Sequence, residues 1–130
     1  MTDKEIKELI DFAVSAAENS YSPYSGFSVG AALKGADGRI FCGVNVENIS
    51  FGGTICAERS ALCRAVTDGV KNFEALAVYH KGSFAYPCGI CRQMLSEFGD
   101  MDVYISDGKT YIKKRLGDLM PYNFESKEIK

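Results

Sequence analysis

Ile6, Leu9, Ile10, Ala13 and Ala17 recur three or four residues apart, the spacing that lines one face of a helix. Thr2 and Glu5 precede them as a capping box, so the first helix is predicted to run from there to about residue 20. Tyr21 to Gly26, with Pro23, reads as a turn. Two strands follow on either side of Asp37-Gly38, a hairpin signal. Beyond a Gly52-Gly53 loop a helix opens near Cys56 and ends at Gly69. Ala75-Leu76-Ala77-Val78-Tyr79 is an unbroken apolar run, the pattern of a central strand covered on both faces. A third helix is predicted from Cys88 to Phe98. Val103 to Ser106 and Thr110 to Ile112 are strands joined at Asp107-Gly108, a connection too short for anything but an antiparallel pair. The order α-β-β-α-β-α-β-β predicts an α/β fold of three layers, α/β/α, around one five-stranded mixed sheet.

Composition adds limits. The 130 residues are expected to form a single domain, 1–130, and 46% hydrophobic content is enough for a real core. A net charge of −2 argues against a nucleic-acid partner. The basic cluster Lys113-Lys114-Arg115 reads as the guarded edge of a sheet. No run of 18 apolar residues occurs, so no membrane span is expected, and the polar start Met1-Thr2-Asp3-Lys4-Glu5 has no apolar signal segment behind it. Five cysteines, an odd number, favour a reducing cytoplasm and metal or catalytic use over disulfides.

The chemistry concentrates in two motifs, Cys56-Ala57-Glu58-Arg59 and Pro87-Cys88-Gly89-Ile90-Cys91, each placed where a helix begins. Helix N-termini favour thiolates. Three thiolates suit a catalytic zinc, which takes three protein ligands and leaves a position for water; a structural zinc would need a fourth, from Cys42, Cys63 or His80. Cys63 follows Cys56 by two helical turns, roughly 10 Å along the axis, too far to share a metal, and is expected in the core. Cys42 alternates with Ile40, Val44 and Val46 and is expected on the core side of its strand. His80 ends a strand and can reach the site in principle.

Glu58 is either an ordinary helix carboxylate or the base that takes a proton from activated water. Arg59 is either a surface charge or a donor to the sulfurs that offsets the net −1 of three thiolates and Zn²⁺. Asn45 and Glu47 share one face of the second strand, opposite its apolar set; they are solvent-facing or a clamp on hydroxyl groups of a small polar substrate. Phe27 is a core residue or a stacking one. Leu116, Leu119, Met120, Pro121, Tyr122 and Phe124 form an apolar tail that a small domain cannot easily bury in its own core.

Four segments taken together, Tyr21 to Ala32, Asn45-Val46-Glu47-Asn48, Cys56-Ala57-Glu58-Arg59 and Pro87 to Gln93, resemble those of the small homotetrameric zinc-dependent cytidine deaminases. The likeness covers nearly the whole chain. It implies a cytidine deaminase-like fold, one Zn²⁺ per subunit on Cys56, Cys88 and Cys91, and Glu58 as proton shuttle. It implies Asn45 and Glu47 on the ribose, Phe27 beside the base and the Ala57 amide on the pyrimidine carbonyl. It also implies a homotetramer with shared sites, in which Phe124 reaches a neighbour. The implied activity is deamination of free cytidine and deoxycytidine in pyrimidine salvage. Three rivals are a blasticidin-type antibiotic deaminase, which lacks an acid at the position of Glu47, a deaminase of tRNA or single-stranded DNA, and a non-catalytic zinc-stabilised domain.

Overall fold

The computed structural model describes residues 1–126. Among them α1 (Asp3–Ala17), β1 (Val29–Gly35), β2 (Ile40–Val44), α2 (Ala57–Thr67), β3 (Phe73–His80), α3 (Gly89–Ser96), β4 (Asp102–Ser106), β5 (Tyr111–Arg115) and α4 (Leu116–Leu119) follow in that order, with a 3₁₀ turn at Phe51–Gly53. The capping box on α1 is complete: Thr2 N–H donates to Glu5 at 3.0 Å and Glu5 N–H to Thr2 Oγ1 at 3.1 Å. Lys34 reaches across from β1 to the same Glu5 carboxylate at 3.1 Å, tying the helix start to the sheet.

The strands form one sheet in the order β2-β1-β3-β4-β5. β3 and β4 are parallel and the other neighbours antiparallel. The parallel pair needs a crossover, which α3 supplies. Alternation along β3 serves both faces. Leu76 and Val78 join Leu33, Leu62, Leu95, Val103 and Ile105 on the α2 and α3 side. Ala75 and Ala77 join Ile6, Leu9, Ala13, Ala32 and Tyr104 under α1. The predicted three-layer α/β/α arrangement with a five-stranded mixed sheet is therefore present, and Lys113, Lys114 and Arg115 lie on the edge strand β5.

Two glycines set the layer spacing. A Cβ on Gly30 would stand 2.0 Å from Ala13 O of α1, and one on Gly43 would stand 2.3 Å from Ala61 N and 2.5 Å from Ala57 O of α2. Both obstacles are backbone, so a helix would have to move. Gly43→Ala should cost about 1–3 kcal/mol in a denaturant melt and lower activity together with it, because α2 carries Cys56 and Glu58. An unchanged melt would mean that α2 is free to shift on the sheet.

Four expectations are corrected. β2 ends at Val44, so Asn45 and Glu47 lie beyond the strand, in an extended segment bridged through Val46 to Tyr21 and Ile55. Phe41, Gly43 and Asn45 are buried while Ile40, Cys42 and Val44 are half-buried, because helices cover both faces of the sheet; alternation therefore does not mark a single core side. Cys63 is exposed rather than in the core, since the buried stripe of α2 runs through Ala57, Glu58, Ala61, Leu62 and Ala65. Leu116 and Leu119 belong to α4 and pack on the core of their own chain, which leaves Tyr122 and Phe124 as the exposed part of the tail.

Candidate active site

α2 and α3 lie on the same face of the sheet and pack against each other, which brings their N-termini together. Cys56 is the N-cap residue of α2 and Cys88 that of α3, and Cys91 lies in the first turn of α3. Cys56 Sγ lies 3.7 Å from Cys88 Sγ, and Cys88 Sγ 3.5 Å from Cys91 Sγ. Three thiolates on a tetrahedral zinc, at Zn–S near 2.3 Å, stand about 3.8 Å apart, so the spacing fits that ion. Among the described residues these three alone form such a group. His80 is engaged elsewhere: its Nδ1 donates to Ser28 O at 2.9 Å and its ring stacks on Phe27 at 3.5 Å between centroids. Cys42 turns its Sγ toward Phe12 O. The donor set is that of a three-ligand metal centre.

The electrostatics of the cluster follow from crowding and burial. The Cys91 thiol, Arg59 and Cys88 all favour the Cys56 thiolate, with Cys91 contributing most, and hold Cys56 down at about 5. The hydrogen bond to Cys56 and then burial push Cys91 the other way, well above the usual thiol range. A bound dication would deprotonate all three. Arg59 Nη2 lies 3.7 Å from Cys56 Sγ and donates to Thr54 O at 3.3 Å, so the guanidinium sits against the sulfurs and not in solvent. Its Nε is buried without a hydrogen-bond partner.

Glu58 is 4% exposed on the first turn of α2. Burial, followed by the neighbouring Cys56 thiolate, raises its carboxyl to about 7. A carboxylate buried beside three thiols is not a surface helix residue, and its position at the helix N-terminus favours the charged form. Ala57 is the first residue of α2, where backbone N–H groups have no partner within the helix.

The model of the cytidine and deoxycytidylate deaminase zinc-binding region matches residues 3–107. The chain belongs to the cytidine deaminase family. It is 41% identical to a probable cytidine deaminase of Dictyostelium discoideum, covering 99% of this chain and 90% of that one. It is 42% identical to the cytidine deaminase of Sporosarcina psychrophila, covering 96% and 95%. The crystal structure of the cytidine deaminase from Burkholderia pseudomallei superposes with a TM-score of 0.87 at 41% identity, over 95% of this chain and 100% of that one. The Mycobacterium tuberculosis cytidine deaminase gives a TM-score of 0.80 at 38% identity over 95% and 98%. Cytidine deaminases are hydrolases, and the chain is an enzyme of that class.

Asn45, Glu47 and Phe27, also singled out in the sequence, are joined by hydrogen bonds around the turn at Tyr24 and Ser25. Asn45 is 8% exposed and nearly saturated. Its Oδ1 accepts from Val29 N–H at 3.0 Å and from the Ser20 hydroxyl, and its Nδ2 donates to Phe27 O at 2.7 Å. One amide hydrogen remains for a ligand. Glu47 Oε1 accepts from Tyr24 N–H at 2.9 Å and Ser25 N–H at 3.0 Å, and Oε2 from the Ser25 hydroxyl. The Ser25 hydroxyl and then its N–H, followed by the Tyr24 N–H, hold the Glu47 carboxyl below the usual range. Ser25 Oγ also accepts from Phe27 N–H at 3.0 Å. Both ends of the Phe27 backbone unit are thus fixed by side chains from this pair of motifs. Ser25 and Ser20 escaped the sequence reading, although a serine-rich Pro/Gly turn is itself a signal of such bonding.

Glu47, Tyr24, Ser25, Phe51 and Thr54 line a cleft of about 280 Å³. Tyr24 and Phe51 meet edge to face across it at 5.7 Å. Phe124, 60% exposed, contributes no side chain to that cleft on its own chain.

Proposed function

We propose that the protein hydrolyses free cytidine and deoxycytidine to uridine and deoxyuridine, releasing ammonia, with one Zn²⁺ per subunit on Cys56, Cys88 and Cys91, in cytoplasmic pyrimidine salvage. The observation that carries this reading is the buried Glu58 carboxylate beside three thiols at zinc spacing. Zinc bound there supplies a Lewis acid that makes water a nucleophile near neutral pH. Glu58 takes the proton of that water, delivers it to N3 of the pyrimidine and then assists departure of ammonia from C4. The Ala57 N–H holds the pyrimidine carbonyl. Phe27, backed by His80, offers its other face to the base. Arg59 offsets the excess negative charge of the thiolates.

The remaining Asn45 amide hydrogen and the free lone pair of Glu47 take the ribose hydroxyls. Their other bonds hold the turn in place beforehand, so little is lost in ordering on binding. Glu47→Gln tests this cleanly, because an amide can still accept from Tyr24 and Ser25 N–H while losing the charge. It should lower kcat/KM for cytidine about tenfold or more, mainly through KM. Equal kinetics before and after the change would remove Glu47 from the substrate.

Five free cysteines fit a reducing cytoplasm. The exposed Tyr122, Phe124 and Phe51 support a homotetramer whose sites are completed by neighbours. Loss of the cytidine absorbance band, followed for cytidine, deoxycytidine, cytosine and CMP with zinc-loaded protein, tests the whole reading. Turnover of both nucleosides is expected. No turnover of either by protein carrying a full equivalent of zinc would sink it in favour of another substrate or a non-catalytic zinc domain.

A further inference from the structure

Arg92 and Gln93 follow Cys91 directly on α3, and both side chains leave the metal centre for the C-terminal segment. Arg92 Nε donates to Pro87 O at 2.6 Å, on the turn that carries Cys88, and its Nη1 donates to Leu119 O at 2.8 Å, at the end of α4. Gln93 makes a paired contact with one residue: its Nε2 donates to Phe124 O at 2.9 Å and its Oε1 accepts from Phe124 N–H at 3.0 Å. The side-chain amide thus pairs with the Phe124 backbone as a neighbouring strand would, and satisfies both of its polar groups.

After α4 the chain turns through Tyr122, a non-glycine residue with φ of 56°, and the Tyr122 side chain is fully exposed. That backbone is unfavourable for a bulky residue and needs outside support. The Phe124 ring is mostly exposed, so burial does not supply the support. Hydrogen bonds from two residues of the helix that also bears Cys91 supply such support.

We propose that Gln93, seconded by Arg92, is a positioning residue that fixes the course of the C-terminal segment and so presents Phe124 to the active site of a second copy of this chain. The part concerning the second copy rests on the shared-site reading given above; the clamp itself does not. It links the two ends of the functional apparatus, since one helix turn holds Cys91 inward and Phe124 outward.

Gln93→Met is the informative variant, because methionine keeps the length of the side chain and its helix preference while removing both hydrogen bonds. Three measurements on the zinc-loaded, full-length protein are needed. Chymotrypsin cleavage after Tyr122 and Phe124, identified by mass spectrometry, should be roughly tenfold faster, the change expected when two neutral hydrogen bonds no longer close the segment. KM for cytidine should rise severalfold with kcat and zinc content close to parental, a split that general loss of structure would not give. Gln93→Met combined with Phe124→Ala should be no worse in KM than Phe124→Ala alone, because both changes remove the same contact. Cleavage at the parental rate overturns the clamp. Faster cleavage with a parental KM, or KM losses that multiply in the double variant, overturns the assignment of Gln93 to presenting Phe124. Were the protein inactive on cytidine altogether, the cleavage rates would still decide the clamp, so that failure and failure of the proposed function remain separable.

Discussion

Glu58→Gln lowers kcat for cytidine by about 10²–10⁴-fold and leaves zinc content unchanged. The side chain is almost completely buried on the first turn of α2, and the amide has the same shape, so the site is not remodelled. What disappears is the ability to take a proton from water and return it to the ring. The ligands are separate residues, and their spacing does not depend on the carboxylate. Stability should not fall, because a neutral amide is cheaper to bury than a carboxylate raised to about 7 chiefly by burial. Metal analysis, a thermal melt and single-turnover kinetics on one preparation read all three. Turnover near the parental rate would give the base role to another group.

Cys88→Ala removes zinc. Loss of a residue that merely supports a ligand typically lowers metal affinity 10–100-fold, and loss of one ligand in three should exceed that. Cys88 is exposed, so deleting its sulfur leaves no cavity in the core. Any fall in melting temperature then reports the metal and not the packing. Zinc held there would join two helix starts that are separated by 32 residues of chain, and its binding energy would be part of the folding energy. The parental protein stripped by a chelator should therefore melt close to the variant, while the two zinc-treated proteins differ. A full equivalent of zinc in Cys88→Ala after dialysis would point to a different ligand set.

Much of this was legible because it depends on local rules. The two cysteine motifs sit at helix starts, which local signals mark; that Cys56 and Cys88 belong to one centre was legible from the motif pair and the family resemblance. The Asp37-Gly38 hairpin and the apolar run of β3 follow equally local patterns. The errors concern residues whose surroundings come from distant parts of the chain. Asn45 looked like part of the second strand, but that strand ends at Val44 and Asn45 spends its bonds on the backbone of Phe27 and Val29. Cys63 looked apolar and small, yet it lies on the exposed side of α2. Leu116 and Leu119 looked like a free tail because nothing in their spacing shows that α4 folds back onto the core. Gln93 gave no signal at all, since its partner is a backbone group 31 residues away.

β3 lies at the middle of the sheet but falls between Cys56 and Cys88 in the chain. A ribosome adding about 5–20 residues per second exposes the first thiol a few seconds before the other two. In that interval the growing chain can hold no metal at this centre, however much is available. Capture by all three thiols must wait until the turn at Pro87 has emerged.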